Sequence, residues 1–221
     1  AGGRRVRSAA PATRFGPAFR PATIAMAGNT ACRERLGPRL DVTFPQADIL
    51  ICESTYGDRL HQTTGEAEGK LLEVIRNTCV EKKGKLIIPS FSVGRTQEVI
   101  YSLNNFYNSG KLPRIKIYVD SPLSVNATNI FRLHRECFND SMLETMETDP
   151  DPFGFNDLYF IQQVEDSKKL NDTKEPCVII SASGMMEAGR VKHHLANSIS
   201  DPKNTILAVG YCSPLTLGAR I

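Results

Sequence analysis

Residues 47–61, ADILICESTYGDRLH, begin as a buried strand and turn abruptly polar. Ile49, Leu50, Ile51 and Cys52 form the short unbroken apolar run expected of a strand covered on both faces, since a strand with one wet face alternates instead. The run ends in Glu53, Ser54, Thr55, Tyr56, Gly57, Asp58, Arg59 and, two residues on, His61. So many polar groups at one strand end point to a parallel sheet that carries its chemistry at the carboxyl ends of its strands.

The rest of the chain repeats the pattern. Residues 85–88, 115–120, 158–162, 177–181 and 205–211 are further strand candidates, rich in Ile, Val, Leu and aromatics. Helical spacing fills most gaps: Leu71, Leu72, Ile75 and Cys79 make one apolar stripe, and Val99, Leu103, Phe106 and Tyr107 a second. Ile130, Leu133 and Cys137 make a third, and Val191, Leu195 and Ile199 a fourth. The alternation predicts an α/β fold with a mainly parallel sheet flanked by helices on both faces. Residues 144–156, with Pro150, Pro152, Gly154 and several acids, read as a surface excursion.

Composition sets the outer limits. A chain of 221 residues with 41% hydrophobic and 23% charged side chains can bury a sizeable core, and no apolar run approaches the length of a membrane span. A net charge of +3 argues against a wholesale polyanion binder while leaving room for a local basic patch. The cysteines at 32, 52, 79, 137, 177 and 212 include no CxxC pair, and they read as reduced structural thiols of a cytoplasmic protein. The first 31 residues carry Arg4, Arg5, Arg7, Arg14 and Arg20, no acid and many Ala, Gly and Pro. They resemble a transit peptide superficially and read as a poorly defined end without apolar periodicity.

Four polar loops would converge on one rim of such a sheet. The first is the 53–59 loop; the others are Pro89-Ser90-Phe91-Ser92-Val93-Gly94-Arg95, Asp120-Ser121-Pro122 and Ser181-Ala182-Ser183-Gly184-Met185. Two of them lead into helices, where free N–H groups, hydroxyls, Arg95 and Arg190 would suit a phosphate; the same serines are also ordinary helix caps. A carboxylate such as Glu53 at the end of a buried strand is costly unless paired or used, so it would either tune an acid-base histidine or bond structurally to Arg59. His194 falls on the core side of its helix and His134 reads as structural, whereas His193 shares a face with Arg190. No pair of histidines has metal-ligand spacing.

At this point the residues resemble a known family. ADILICESTYGDRLH, LIIPSFSVGRTQEVIYSL, IYVDSPLS, VIISASGMMEAGRVKHHL and VGYCSPLTLGARI, in order over roughly residues 45 to 221, are similar to the β-CASP nucleases of the metallo-β-lactamase fold. Relatives of that kind include RNase J and the nuclease subunit of the cleavage and polyadenylation specificity factor. The resemblance implies a β-CASP domain inserted into a metallo-β-lactamase domain, with two zinc ions in the cleft between them activating water for phosphodiester hydrolysis. It divides the chain into 1–46, a remnant of the metallo-β-lactamase domain; 47–60, a junction strand and loop; 61–204, the β-CASP domain; and 205–221, a strand returning to the first domain.

Glu53 sits where the family's first β-CASP motif places its acid, and would support a catalytic histidine. The implied substrate-binding set is Ser54, Thr55, Tyr56, Arg59, His61, Ser90, Phe91, Arg95, Asp120, Ser121, Ser181, Ser183, Gly184, Met185, Arg190 and His193. The partner implied is single-stranded RNA, with a homodimer or an RNA-processing complex as the assembly and no membrane.

The family's HxHxDH metal motif does not occur in the sequence. The strand that usually ends in TGD aligns without gaps to Ala27-Gly28-Asn29, which puts an amide where the family has a metal-bridging aspartate. The expectation is an internal fragment, inactive and zinc-free alone, of an enzyme active when intact. The alternatives are a noncatalytic β-CASP scaffold subunit and, outside the family, a Rossmann-like phosphate or nucleotide binder, which the missing GxGxxG disfavours.

Overall fold

The computed structural model describes residues 24–27, 48–52, 55 and 64–221. Strand β1 (Ile24–Ala27) pairs in parallel with β2 (Ile49–Cys52), Ile24 opposite Ile49 and Ala27 opposite Cys52. A strand therefore lies within the segment read as patternless: its four residues, IAMA, are too few to register as periodicity and need only a partner of matching length.

The main body is a five-stranded parallel sheet. Its strands are β3 (Lys85–Pro89), β4 (Lys116–Asp120), β5 (Leu158–Ile161), β6 (Cys177–Ser181) and β7 (Thr205–Ile206), in the spatial order β5-β4-β6-β3-β7. KLIIP, KIYVD and CVIIS each have a strand on both sides, and every residue of β6 and four of the five in β3 are buried. Burial of one such isoleucine contributes about 1.5–3 kcal/mol, which explains why β-branched runs occupy the centre.

Helices cover both faces. On one lie α1 (Thr64–Ile75), continued by a π-helical segment Arg76–Glu81, α2 (Arg95–Asn108), α3 (Pro122–Leu133) and α4 (Asp140–Thr148); Leu71, Ile75, Val99, Leu103, Phe106 and Met142 meet Leu86, Ile88, Ile117, Val119, Val178 and Ile180. On the other lie α5 (Val164–Asp172) and α6 (Val191–Ser198), whose Leu170, Val191 and Leu195 meet Ile87 and Ile179. Crossovers toward the β5 edge use the first face and those toward the β7 edge the second, so all four share one hand, as parallel sheets require.

Local chemistry sets the boundaries. Ser121 caps α3, its Oγ accepting from the Ser124 N–H at 3.2 Å with Pro122 in the first turn, and Asn139 caps α4 through the Met142 N–H at 2.9 Å. Lys85 Nζ donates to the Leu170 and Asn171 carbonyls at 2.9 and 2.8 Å, closing the carboxyl end of α5. The turn into β3 needs Gly84, because a Cβ there would stand 2.0 Å from the Lys203 carbonyl oxygen. Cys79 and Cys177 are free and buried, and burial pushes their thiols up to about 12 and about 11.

Several expectations change. The stripe Ile130, Leu133 and Cys137 faces outward, with Ile130 56% and Leu133 76% exposed; α3 instead buries Ser124, Val125, Ala127 and Thr128, because Gln97 on α2 reaches Ser124 O and Thr128 Oγ1 and turns that side inward. Ile199 lies past the end of α6 and is exposed. The excursion at 144–156 carries Phe153, 1% exposed, which packs edge-on against Phe131 at 5.9 Å and beside Phe138 at 6.0 Å. The last strand stops at Ile206. The Leu207 N–H donates to Ile87 O, and the next rung would need an N–H at Pro89, which has none.

The reassigned face of α3 is testable by a pair of truncations. Ile87→Ala should cost about 2–5 kcal/mol in urea denaturation, as for a fully buried isoleucine. Ile130→Ala should stay within about 0.5 kcal/mol; a comparable loss at both would restore the original stripe.

Candidate functional site

β3 runs into α2 on one face and its neighbour β6 into α6 on the other, so a crevice opens between their carboxyl ends, the usual ligand position in an open parallel sheet. Three described loops line it: residues 90–94, residue 121 and residues 182–190. They touch one another. Ser92 Oγ and Ser121 Oγ are 3.3 Å apart, and a Cβ at Gly184 would lie 2.8 Å from the Phe91 ring. Ser90 N–H donates to Ser181 O at 3.0 Å.

Asp120 fixes the rim from beneath. It is wholly buried at the end of β4 and accepts from His194 Nε2 at 2.6 Å, Ser167 Oγ at 2.5 Å and Arg190 Nη1 at 2.7 Å. The Ser181 hydroxyl donates to its carbonyl at 2.9 Å, and His194 Nδ1 faces Asn171 Oδ1 at 2.8 Å. Burial raises the carboxyl, but the hydrogen bonds from His194, Ser167 and Arg190 together outweigh it and hold Asp120 below its ordinary value of 3.8.

Arg190 also donates from Nη1 to the Ile161 carbonyl at 3.5 Å and from Nη2 to the Gln162 carbonyl at 2.6 Å, and its side chain is 18% exposed. Asp120 and Arg190 therefore direct these contacts into the structure, where they hold the loop in place. Ser167, Asn171 and His194 complete this network without having stood out as site residues; His194 gave a signal, as the core-facing member of an adjacent pair, while Ser167 and Asn171 gave none.

The helix starts differ from expectation. α6 begins at Val191 rather than close to Ser183-Gly184. The intervening loop closes on itself: Ser183 N–H donates to Ala188 O at 3.1 Å, Ala188 N–H to Ser183 Oγ at 3.3 Å, and Val191 N–H to Ala182 O at 3.2 Å. Gly189 sits at φ 78 with room for no side chain, since a Cβ would fall 2.3 Å from Ala182 O. At α2 the Gly94 N–H donates to Gln97 Oε1 at 2.7 Å and the Thr96 N–H to Phe91 O at 3.2 Å, so those two donors are used within the loop.

Of the sequence-predicted set, Phe91 is 44% exposed at the crevice, and Ser183 and Met185 are half-buried beside it. Arg95, with a side chain 36% exposed, pairs with the buried Glu98 at 2.6 Å. Ser90, Ser121, Ser181 and Gly184 are buried beneath the rim, and His193 is exposed on α6. Thr55 is exposed in a turn, and Glu53, Ser54, Tyr56, Arg59 and His61 lie outside the described residues. Among the described residues no group of three or more His, Cys, Asp or Glu side chains is placed to hold a metal ion, and no helix is long and apolar enough to cross a membrane.

The Beta-Casp domain model matches residues 96–221, more than half of the chain and most of this parallel sheet. The chain belongs to the β-CASP family. It is 36% identical over 177 residues to ribonuclease TTHA0252 of Thermus thermophilus, covering 80% of this chain and 40% of that protein. It is 37% identical over 183 residues to an RNase J-like protein of Methanocaldococcus jannaschii, covering 82% and 41%. With endoribonuclease YSH1 of Yarrowia lipolytica it shares 31% over 176 residues, covering 79% and 21%. The chain thus spans at most about two fifths of these relatives.

The Asp120 network makes stability depend on acid. Because its folded carboxyl titrates below 3.8, its contribution is complete above that pH and is lost as pH falls through the lowered folded value. Asp120→Asn should cost about 3–5 kcal/mol at neutral pH, since it leaves the Arg190 guanidinium without its counter-charge and the Ser167 and His194 donors short of an acceptor. It should also flatten the acid limb of stability measured by urea unfolding down to about pH 3; an acid limb as steep as in the parent protein would show that Asp120 is not the group responsible.

Proposed function

We propose that this chain is the β-CASP region of a metal-dependent RNA-processing nuclease that hydrolyses phosphodiester bonds in its intact form, and that the switch-point rim holds single-stranded RNA. The observation that carries this reading is the exposed Phe91 ring seated against Gly184 on a rim that also carries Ser92, in contact with Ser121, and Ser183. An aromatic face stacks on any base, and hydroxyls bond phosphate oxygens without reading sequence. Asp120, Ser181 and Arg190 keep those groups in register from below, and His193 adds an exposed imidazole on α6. The names of the relatives, two ribonucleases and an RNase J-like protein, support RNA as the ligand.

The zinc ions implied by the resemblance do not fit the described residues, which offer no ligand cluster. The roles proposed for those residues are accordingly binding and positioning. Glu53 is proposed as the acid-base partner, a carboxylate that orients a histidine able to protonate the leaving oxygen.

In the full-length protein, Phe91→Ala should weaken single-stranded RNA binding by about 5- to 150-fold, the equivalent of one lost base stack of about 1–3 kcal/mol. Fluorescence anisotropy at fixed salt measures this, and unchanged affinity would remove RNA from the rim. Glu53→Gln should instead leave RNA affinity near normal and lower turnover by about 10²-fold or more. A drop in melting temperature with full turnover would make Glu53 a structural anchor.

A further inference from the structure

The strongest unassigned feature lies at the opposite end of the sheet. The turns before β3, β4 and β6 bring their lysines and arginines to the amino ends of three strands that are aligned in register, with Lys85 and Lys116 both opposite Cys177. Between these turns is a groove of about 440 Å³, lined by Val80, Pro113 and Pro176 together with Lys83, Arg114, Lys116 and the acidic Glu175. Lys82, Lys111 and Lys174 stand exposed in the same turns.

Charge is distributed unequally between the two ends. At the rim, Arg95 is neutralised by Glu98 and Arg190 by Asp120. At the groove only Lys116 has a carboxylate partner, Glu175 at 2.7 Å; among the described residues no carboxylate lies within 4.0 Å of the charged group of Lys82, Lys83, Lys111, Arg114 or Lys174. Among the described residues, five unpaired cations therefore gather at this end, against Lys192 and Arg220 beside the rim.

The described segments that flank the sheet in sequence lie toward its other end. α1 and its π-helical continuation run from the rim down to the turn before β3. Beyond β7 the chain climbs back to the rim, where Gly218 N–H donates to Met185 O at 3.2 Å and the Leu217 N–H to Glu187.

We infer that this groove is a second, sequence-independent contact for the RNA backbone, engaging a stretch of strand outside the segment held at the rim. The inference rests on the reading of the rim as an RNA surface. Unpaired lysines and an arginine supply the counter-charge for phosphates, and release of condensed counterions drives the contact. Its apolar lining includes no aromatic ring, so it offers a surface for ribose and no platform for base stacking. The two contact regions are separated by a five-residue strand, about 17 Å, so only an RNA longer than the rim segment reaches both.

The test uses the full-length protein and two single-stranded RNAs, of about 6 and about 30 nucleotides, which bracket the roughly 4–16 that one binding groove engages. The variant Lys82→Gln/Lys83→Gln/Arg114→Gln/Lys174→Gln removes exposed charges only, and its melting temperature serves as the folding control. The expected result is unchanged affinity for the short RNA. For the long RNA, binding should be about tenfold or more weaker at low salt, with the log–log salt slope reduced by about 2 or more. The loss should be equal for a uridine homopolymer and a mixed sequence.

Equal affinity of variant and parent for the long RNA would overturn the groove while leaving the rim reading intact; an acidic protein partner would then be its remaining use. Failure of the parent protein to bind either RNA would overturn both.

Discussion

A carboxylate without access to water must be surrounded by donors, and Asp120 gathers donors from Ser167 on α5 and from Arg190 and His194 at α6, while its own carbonyl takes the Ser181 hydroxyl from β6. Removing any one leaves the others facing an uncompensated charge, so the ends of β4 and β6 and two helices on one face of the sheet are held in a single arrangement. The loop that closes over Gly189 and presents Ser183 stands on that arrangement. A phosphate-sized ligand above it would meet hydroxyls whose positions are already fixed, and its binding would cost little ordering of the protein.

The parallel sheet was readable because its strands are short, β-branched and unbroken, and because each ends in a polar loop; KLIIP and CVIIS left little choice. Most helical stripes were readable for the same reason. α3 was misread because a helix with polar contacts on its inner side carries a misleading pattern: Gln97 makes Ser124 and Thr128 the buried positions, while Ile130 and Leu133 look outward. The roles of Asp120 and Arg190 were half legible. Both belong to the rim, yet only the fold shows that they spend their charge on each other, since they are 70 positions apart in the chain. Nothing in the sequence flags Ser167 as the third donor.

The same internal pairing changes how the electrostatics of the whole domain should be viewed. A net charge of +3 suggests an indifferent surface. If the crevice and the far groove hold RNA as proposed, pairing of Arg95 and Arg190 with buried acids leaves the crevice to act through shape, stacking and hydroxyls, and leaves long-range attraction mainly to the exposed lysines at the far end. Capture and positioning of a polyanion can then be tuned separately, one by ionic strength and the other by geometry.

Pro89 lies on the side of β3 that faces the β7 edge, where its missing N–H stops the ladder after Leu207. A two-residue outer strand is a poor template, because an incoming strand from another molecule would find too few open groups to bond. The imide thus does for this edge what a covering helix does elsewhere: it guards the sheet against being lengthened by a neighbour. An assembly formed across this edge would have to be recognised through side chains rather than by adding rungs to the sheet.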